Sequence, residues 1–425
     1  MEEPKSSLQG FFASTTVSGI EFNPQDPRTW WVAERQKQGP AMEIQAQMHD
    51  HTMYLARVPA RKFYYDARAN AMAFAAVSAY YHFDGLNAAS DIYNYEAEAM
   101  GAKMIYGENA MPTIDFRQPF VNNPADLEKL KPPADWLSAG RVRFSWDTNR
   151  LCREVTGSQS LTFCAPFSLA VGVRSYPLLI RDMRRNPAFA HELFTRLVDD
   201  VLPSYLKAQA DYLGGATMAT GADAWAAYPE LTPEMVEEWV VPYAGKLLQN
   251  CMPYGFVAMP AASADYCEED LGKFDKQILW KAFDAQVKVM MGQPVAFMLM
   301  GRTHEIPFEP IVEWMDQWKA RGQRVTFTVG INARLLRDGP AEKIVDLVKR
   351  YIQTFAYDHN LMLMLANIPA DAPSEHIHAA VAAAHQYGKL PLAEDLDSVQ
   401  FKMPERESFA EYVDQMTNGQ GFEFK

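Results

Sequence analysis

Residues 214–243, GGATMATGADAWAAYPELTPEMVEEWVVPY, hold one strand–loop–helix unit. Ala216 to Ala222 is a run of small and apolar residues, which predicts a buried strand. The run ends on Asp223, a carboxylate at the strand's carboxyl end. Pro229 follows in a loop, and Thr232-Pro233-Glu234 supplies a capping hydroxyl, a proline at the first helical position and an early acid. An amphipathic helix then runs from Met235 towards Val241. In parallel α/β folds the chemistry sits at the carboxyl ends of strands. Asp223 is therefore the leading candidate for catalysis, with the capping of a turn or of the next helix as its alternative role.

The same grammar recurs along the chain. Strands are expected over residues 101–106, 160–167, 255–259, 295–300, 324–329 and 361–365. Helical patterns cover 63–81, 91–100, 177–183, 187–213, 274–291, 308–321, 340–355 and 374–387. Repeated strand–loop–helix units imply a parallel sheet with helical crossovers. Seven or eight such units without a low-complexity linker predict a single (β/α)8 barrel of the α/β class over residues 61–391. Residues 1–60, rich in aromatics and broken by Asn23-Pro24, Asp26-Pro27 and Gly39-Pro40, read as an N-terminal extension of short helices. Residues 392–425 read as a polar C-terminal tail outside the barrel.

Composition narrows the function. A net charge of −13 argues against nucleic acid and anionic membrane as partners. The four cysteines, Cys152, Cys164, Cys251 and Cys267, are widely spaced and form no CxxC pair, which fits a reduced, cytoplasmic setting. The start, MEEPKSSLQGFFAS, lacks the basic and apolar regions of a signal peptide, and no apolar run reaches membrane-span length. Neither a glycine-rich phosphate loop nor a GxSxG elbow is present.

Several ordered motifs carry a resemblance. Phe83-Asp84, Ser90-Asp91, Glu96-Ala97…Gly101-Ala102, Ala165-Pro166-Phe167-Ser168, Asn186-Pro187, Gly221-Ala222-Asp223, Thr232-Pro233…Val241-Pro242-Tyr243, Val329-Gly330-Ile331-Asn332 and Ile368-Pro369 succeed one another as in the uroporphyrinogen decarboxylase superfamily. The resemblance spans about residues 60 to 390 and implies a (β/α)8 barrel. One branch of that superfamily decarboxylates uroporphyrinogen and holds its carboxylates with an arginine-rich N-terminal segment. Here that region reads MHDHTMYLARVPARKF, which keeps Arg57 and Arg61 but not the family's pattern. The other branch exchanges methyl groups with a corrinoid carried on a separate protein, and many members hold zinc through a His-x-Cys and a late Cys. Those slots fall on Met259, Ala261 and Ala366, so a metal site there is not expected and zinc as a cofactor is disfavoured. Loss of the thiol-activating zinc fits an O-demethylase type of methyltransferase, which needs an acid on a leaving oxygen rather than a thiolate.

Candidate residues follow from position. Asp223, His304 and Asp84 are read as catalytic. Asp91, Glu108, Asn109, Asp265, Glu305, Asn332 and Asn367 are read as substrate-binding. Asp84 closes a short segment after the helical pattern over 63–81 and Asp91 lies just beyond it; each of the others closes or follows an expected strand. His49 and His51 lie where they would cover a substrate. The expected function is a corrinoid-dependent methyltransferase that takes a methyl group from a small methylated substrate and passes it to cobalamin on a partner corrinoid protein. A homodimer is left open. The alternatives are a uroporphyrinogen-type decarboxylase and a non-catalytic barrel that binds a tetrapyrrole.

Overall fold

The computed structural model describes residues 19–86, 91–261, 263–264, 271–292, 297–299 and 303–424. Ten strands occur among them: β1 (Ile44–Ala46), β2 (Met104–Ile105), β3 (Thr113–Ile114), β4 (Ser160–Cys164), β5 (Met218–Ala222), β6 (Val257–Ala261), β7 (Ser263–Ala264), β8 (Phe297–Leu299), β9 (Thr326–Ile331) and β10 (Asn360–Leu365). Two sheets are wholly parallel, in the orders β4-β5-β6 and β1-β10-β9-β8-β7. Because β7 begins two residues after β6 ends, one course of chain pairs first with β5 and then with β8. The two sheets thus follow one another, and helices cross between successive parallel strands as parallel pairing requires.

The helix Ala67–Tyr81, ARANAMAFAAVSAYY, shows how the ends of the chain join this frame. Asp66 caps it by accepting from the Ala69 N–H, and almost every residue from Ala69 onward is buried. A helix that is apolar all round must be covered all round. The cover comes from the helix Pro27–Lys37, through buried Trp30 and Trp31, and from the helix Phe409–Met416. Tyr80 meets the Phe409 ring at 5.4 Å, and Trp30 meets Phe422 at 5.7 Å. Among the described residues no helix is long and apolar enough to cross a membrane.

Three local readings change. β1 lies inside the segment read as an extension; its Glu43-Ile44-Gln45-Ala46-Gln47 is too short and too polar to stand out by periodicity. The apolar stretch at 101–106 is one arm of the antiparallel hairpin β2–β3 and joins neither parallel sheet. The strand expected over 160–167 stops at Cys164, since Pro166 opens the helix Pro166–Arg174.

Gly221 marks a close approach in β5. A Cβ built there would lie 2.5 Å from the buried Phe163 ring and 3.0 Å from the Ala165 Cβ. Gly221→Ala is therefore expected to lower stability by about 1–3 kcal/mol through overpacking, as read by chemical denaturation.

Candidate active site

Strand residues alternate between two faces. One face packs against helices: Ile44, Ala46, Leu161, Phe163, Ala219, Phe327, Val329, Leu363 and Leu365 are buried in the two main cores. The other is partly accessible along β1, β4 and β5, where Gln45, Gln47, Ser160, Thr162, Met218 and Thr220 line it. Met364 and Ala366, with Met298 packed on them, form a small separate apolar cluster on β8 and at the end of β10. This second face is therefore polar along β1, β4 and β5 and rich in thioethers along β8 and β10.

Acids collect at the carboxyl ends of the polar side. Asp223 directly follows β5 and is 1 % exposed. Its Oδ1 accepts from the Ser168 N–H at 2.8 Å and from the Ser168 hydroxyl at 2.7 Å. The cap thus falls on the helix after β4, not on the next helix. Oδ2 is buried and has no hydrogen-bond partner among the described residues. Burial is the main influence on this carboxyl and raises it to about 6, against the pull of the Ser168 donors.

Arg141 is the one buried cation facing this region among the described residues that interact with it. Its Nη2 is paired with Asp91, its Nε donates to Glu98 at 2.9 Å, and its guanidinium lies 5.3 Å from the Tyr95 ring and 5.7 Å from the Tyr65 ring. Nη1 is buried without a partner among the described residues. Asp91 also accepts from the Asn94 amide, and burial outweighs Arg141 to raise its carboxyl to about 6. Glu96 is fully buried. Its Oε1 accepts from the Cys164 N–H at 2.8 Å, and its Oε2 has no partner among the described residues. Burial, aided by Asp91, raises Glu96 to about 8. The Cys164 thiol feels Glu96, Asp223 and Asp91 together, which places the three acids around the end of β4.

The β1 end adds a second group. Asp50 accepts from the buried Tyr64 hydroxyl and from the Met111 N–H at 3.1 Å, tying the β2–β3 hairpin to it. His49 has φ of +29°, and its Nδ1 is buried without a partner among the described residues. Burial lowers His49 to about 4, so its ring is neutral near pH 7. His51 is committed elsewhere: Nδ1 meets the Pro369 carbonyl at 3.0 Å and Nε2 the Tyr81 hydroxyl at 2.8 Å.

The structure redistributes the other candidates. Asp84 is a correction. It sits at the amino end of β1, where Oδ2 accepts from the Ile44 N–H at 2.7 Å and meets His385 at 3.0 Å, and Oδ1 pairs with Arg35. This fully used carboxylate holds the closed end of the strands and does not reach the acids at the other end. Asn332 is also spoken for, since its side chain caps the helix Ala333–Asp338 by accepting from the Arg334 N–H at 2.7 Å. Glu108 and Asn109 are exposed on the hairpin, and Asn367 is exposed after β10 with φ of +49°. His304 and Glu305 lie half-buried in the turn Thr303–Glu305, beside Tyr351, whose hydroxyl donates to the Gly330 carbonyl at 3.0 Å. His304 and Asp223 thus both follow strand ends but belong to different parallel sheets. Asp265 and Cys267 lie outside the described residues. Glu96 and Arg141 were absent from the sequence candidates; only the Glu96-Ala97…Gly101-Ala102 run hinted at the former.

Two surface grooves, of about 720 and 510 Å³, lie on the outer helices, one beside Lys131, Arg196 and Lys207, the other beside Glu237 and Lys281. None of the acids described above lines either groove. Among the described residues no group of three or more His, Cys, Asp or Glu is arranged to hold a metal ion.

The model of the uroporphyrinogen decarboxylase family matches residues 44–259, from β1 through the acid cluster to β6. The chain belongs to the uroporphyrinogen decarboxylase family. Over 164 residues it is 31% identical to the uroporphyrinogen decarboxylase of Myxococcus xanthus (strain DK1622); that match covers 37% of this chain and 44% of the relative's length. In fold the chain is similar to a methyltransferase from Methanosarcina mazei, with a TM-score of 0.58 at 16% identity over 86% of this chain and 99% of the other. For this uroporphyrinogen decarboxylase family member, the shared fold extends well beyond the segment of recognisable sequence.

The ionisation states carry a stability consequence. Glu96 titrates higher folded than unfolded, so its contribution is full below the ordinary glutamate value of 4.5 and is lost as pH rises through about 8. Denaturation midpoints of Glu96→Gln are therefore expected to fall less than those of the wild type as pH rises across that window.

Proposed function

We propose that this chain is a corrinoid-dependent methyltransferase of the O-demethylase type, built as a closed (β/α)8 barrel. The observation that carries the reading is the charge of the site. Around the end of β4 lie the carboxylates Asp91, Glu98 and Asp223 beside the protonated Glu96, against one guanidinium among the described residues, Arg141, already paired with Asp91 and Glu98. Arg57 and Arg61 are exposed. A polycarboxylate such as uroporphyrinogen would meet repulsion there, and placing like charges together in a low-dielectric site is costly. A neutral oxygen-linked methyl donor would not.

The inward face suits such a donor. Gln47, Thr162 and Thr220 can hydrogen-bond its oxygens, and the Met298–Met364–Ala366 cluster offers an apolar seat. Zinc does not fit the slots at Met259 and Ala366, which are buried side chains without a suitable donor atom. A corrinoid fits as a visiting co-substrate on a partner protein, because the rim exposes Tyr54, Tyr65 and Tyr106 to a planar ring. When bound, the corrinoid supplies a cobalt(I) nucleophile that accepts the methyl group. Asp223, as a carboxylate, stabilises positive charge that develops on the protonated donor oxygen. His304, Glu305 and Asn367, on the rim after β8 and β10, would meet the donor or the partner.

Purified protein with cob(I)alamin and a panel of methyl ethers tests this reading. Conversion to methylcobalamin, followed by visible absorbance, is expected with at least one ether. Carbon dioxide release from uroporphyrinogen without any such conversion would replace it with the decarboxylase reading.

A further inference from the structure

We propose that Glu96 is the proton donor of this site, delivering the proton on its Oε2 to the oxygen from which the methyl group departs. This rests on the methyl-transfer reading above. Two carboxyl groups bracket the end of β4. On one side the Glu96 Oε1 accepts from the N–H of Cys164, the last residue of that strand. On the other, Asp223 follows β5, whose last residue, Ala222, accepts from the Ala165 N–H at 3.0 Å. Each group keeps one buried oxygen without a partner among the described residues. Both orphan oxygens are dear to leave unmet in a folded interior, and a ligand oxygen between them would satisfy both.

Their surroundings assign different protonation states. Asp223 receives two donors from Ser168, which favours the carboxylate. Glu96 receives one from Cys164 and lies beside Asp91, which disfavours a second negative charge. The groups facing Glu96 are Asp91 on its own segment, Cys164 on β4 and Tyr205 on the helix Leu202–Leu213; none is a cation. Burial accordingly holds Glu96 up at about 8 and Asp223 at about 6, so near pH 7 the first carries a proton and the second a charge. Such a divergence between neighbouring carboxyl groups is how one site supplies an acid and an anion together.

The step balances. The methyl–oxygen bond breaks with its electron pair left on oxygen, and the methyl group passes to the corrinoid co-substrate. That oxygen takes the Glu96 proton, the demethylated alcohol or phenol leaves, and Glu96 remains as a carboxylate to be reprotonated from water. A purely structural Glu96 would only stand in for a strand neighbour at Cys164. Glutamine would do that equally well, because its amide oxygen can accept the same N–H while it carries no transferable proton.

Glu96→Gln therefore separates the two roles. At neutral pH the wild type is expected to show the infrared carbonyl stretch of a protonated carboxyl that Glu96→Gln lacks, and added phenol, a mimic of the leaving group, is expected to shift it. With cob(I)alamin and an ether that the wild type uses, Glu96→Gln is expected to lose about 10²–10⁴-fold in kcat. The alkaline fall of the wild-type rate should disappear with it. Wild-type kcat and pH profile in Glu96→Gln, or a carbonyl band indifferent to phenol, would overturn the assignment. If the wild type transfers no methyl group, the methyl-transfer reading fails, yet the phenol response still decides whether Glu96 touches a ligand oxygen. If Glu96→Gln does not fold, the wild-type band decides: a midpoint of about 8 with a phenol shift supports the proposal, and absence of either refutes it.

Discussion

Asp223→Asn is expected to abolish most of the activity while leaving the protein at least as stable as the wild type. Asparagine keeps an oxygen for the two Ser168 donors, at 2.8 and 2.7 Å, so the cap on the helix Pro166–Arg174 survives. What goes is the charge. Removing one preorganised electrostatic partner of a transition state typically costs about 10²–10³ in kcat. Stability moves the other way, because a buried carboxylate without a cation partner costs desolvation that an amide does not. The sign with pH follows from the raised carboxyl. The wild type loses stability as pH rises from the unfolded value of 3.8 through about 6, so the advantage of Asp223→Asn grows over that window and is constant above it. Steady-state rates and denaturation curves of the two proteins check both halves. Equal activity would remove Asp223 from the chemistry, and a large loss of stability would make it structural.

Arg141→Ala carries the largest expected effect on folding. It strands Asp91 and Glu98, whose side chains are 0% and 8% exposed, and empties the space between the Tyr65 and Tyr95 rings. Breaking a buried pair by removing one partner costs about 3–5 kcal/mol. Lysine would recover little, since it cannot serve two carboxylates with a planar fork. Arg141 lowers the Asp91 carboxyl, so its loss lets that group rise further above its unfolded value. The destabilisation should therefore be smaller near about pH 5, where Asp91 can take a proton, than near about pH 8. Urea titrations at the two pH values measure this. A destabilisation equal at both would show that the pair with Asp91 is not what Arg141 provides.

The frame was legible where the chain repeats itself. Small apolar runs ending in a polar residue located β5, β6, β9 and β10, and Asp223 stood out because an acid follows such a run directly. The partners of that acid were not legible. Ser168 lies 55 residues away, and Arg141 lies 50 residues from Asp91. Periodicity speaks for local faces, whereas a pair across two strands depends on the sheet register. Asp84 misled for the opposite reason: it looked like the end of a run, but Phe83-Asp84-Gly85 lies beside the start of β1, and the Asp84 N–H donates to the Ile44 carbonyl at 3.1 Å. Glu96 fell within the helical pattern expected over 91–100, with nothing local to mark its partner. Only the fold reveals that its helix, Tyr95–Met100, turns it towards the backbone of β4.

A methyl aryl ether labelled with ¹⁸O at the ether oxygen, turned over with cob(I)alamin, puts the whole account to one test by mass spectrometry. Transfer of the methyl group at the acid cluster around β4 and β5 predicts that all of the label stays in the phenol while the methyl group appears on cobalamin. Label released to water, or phenol formed with no methylcobalamin, would contradict it.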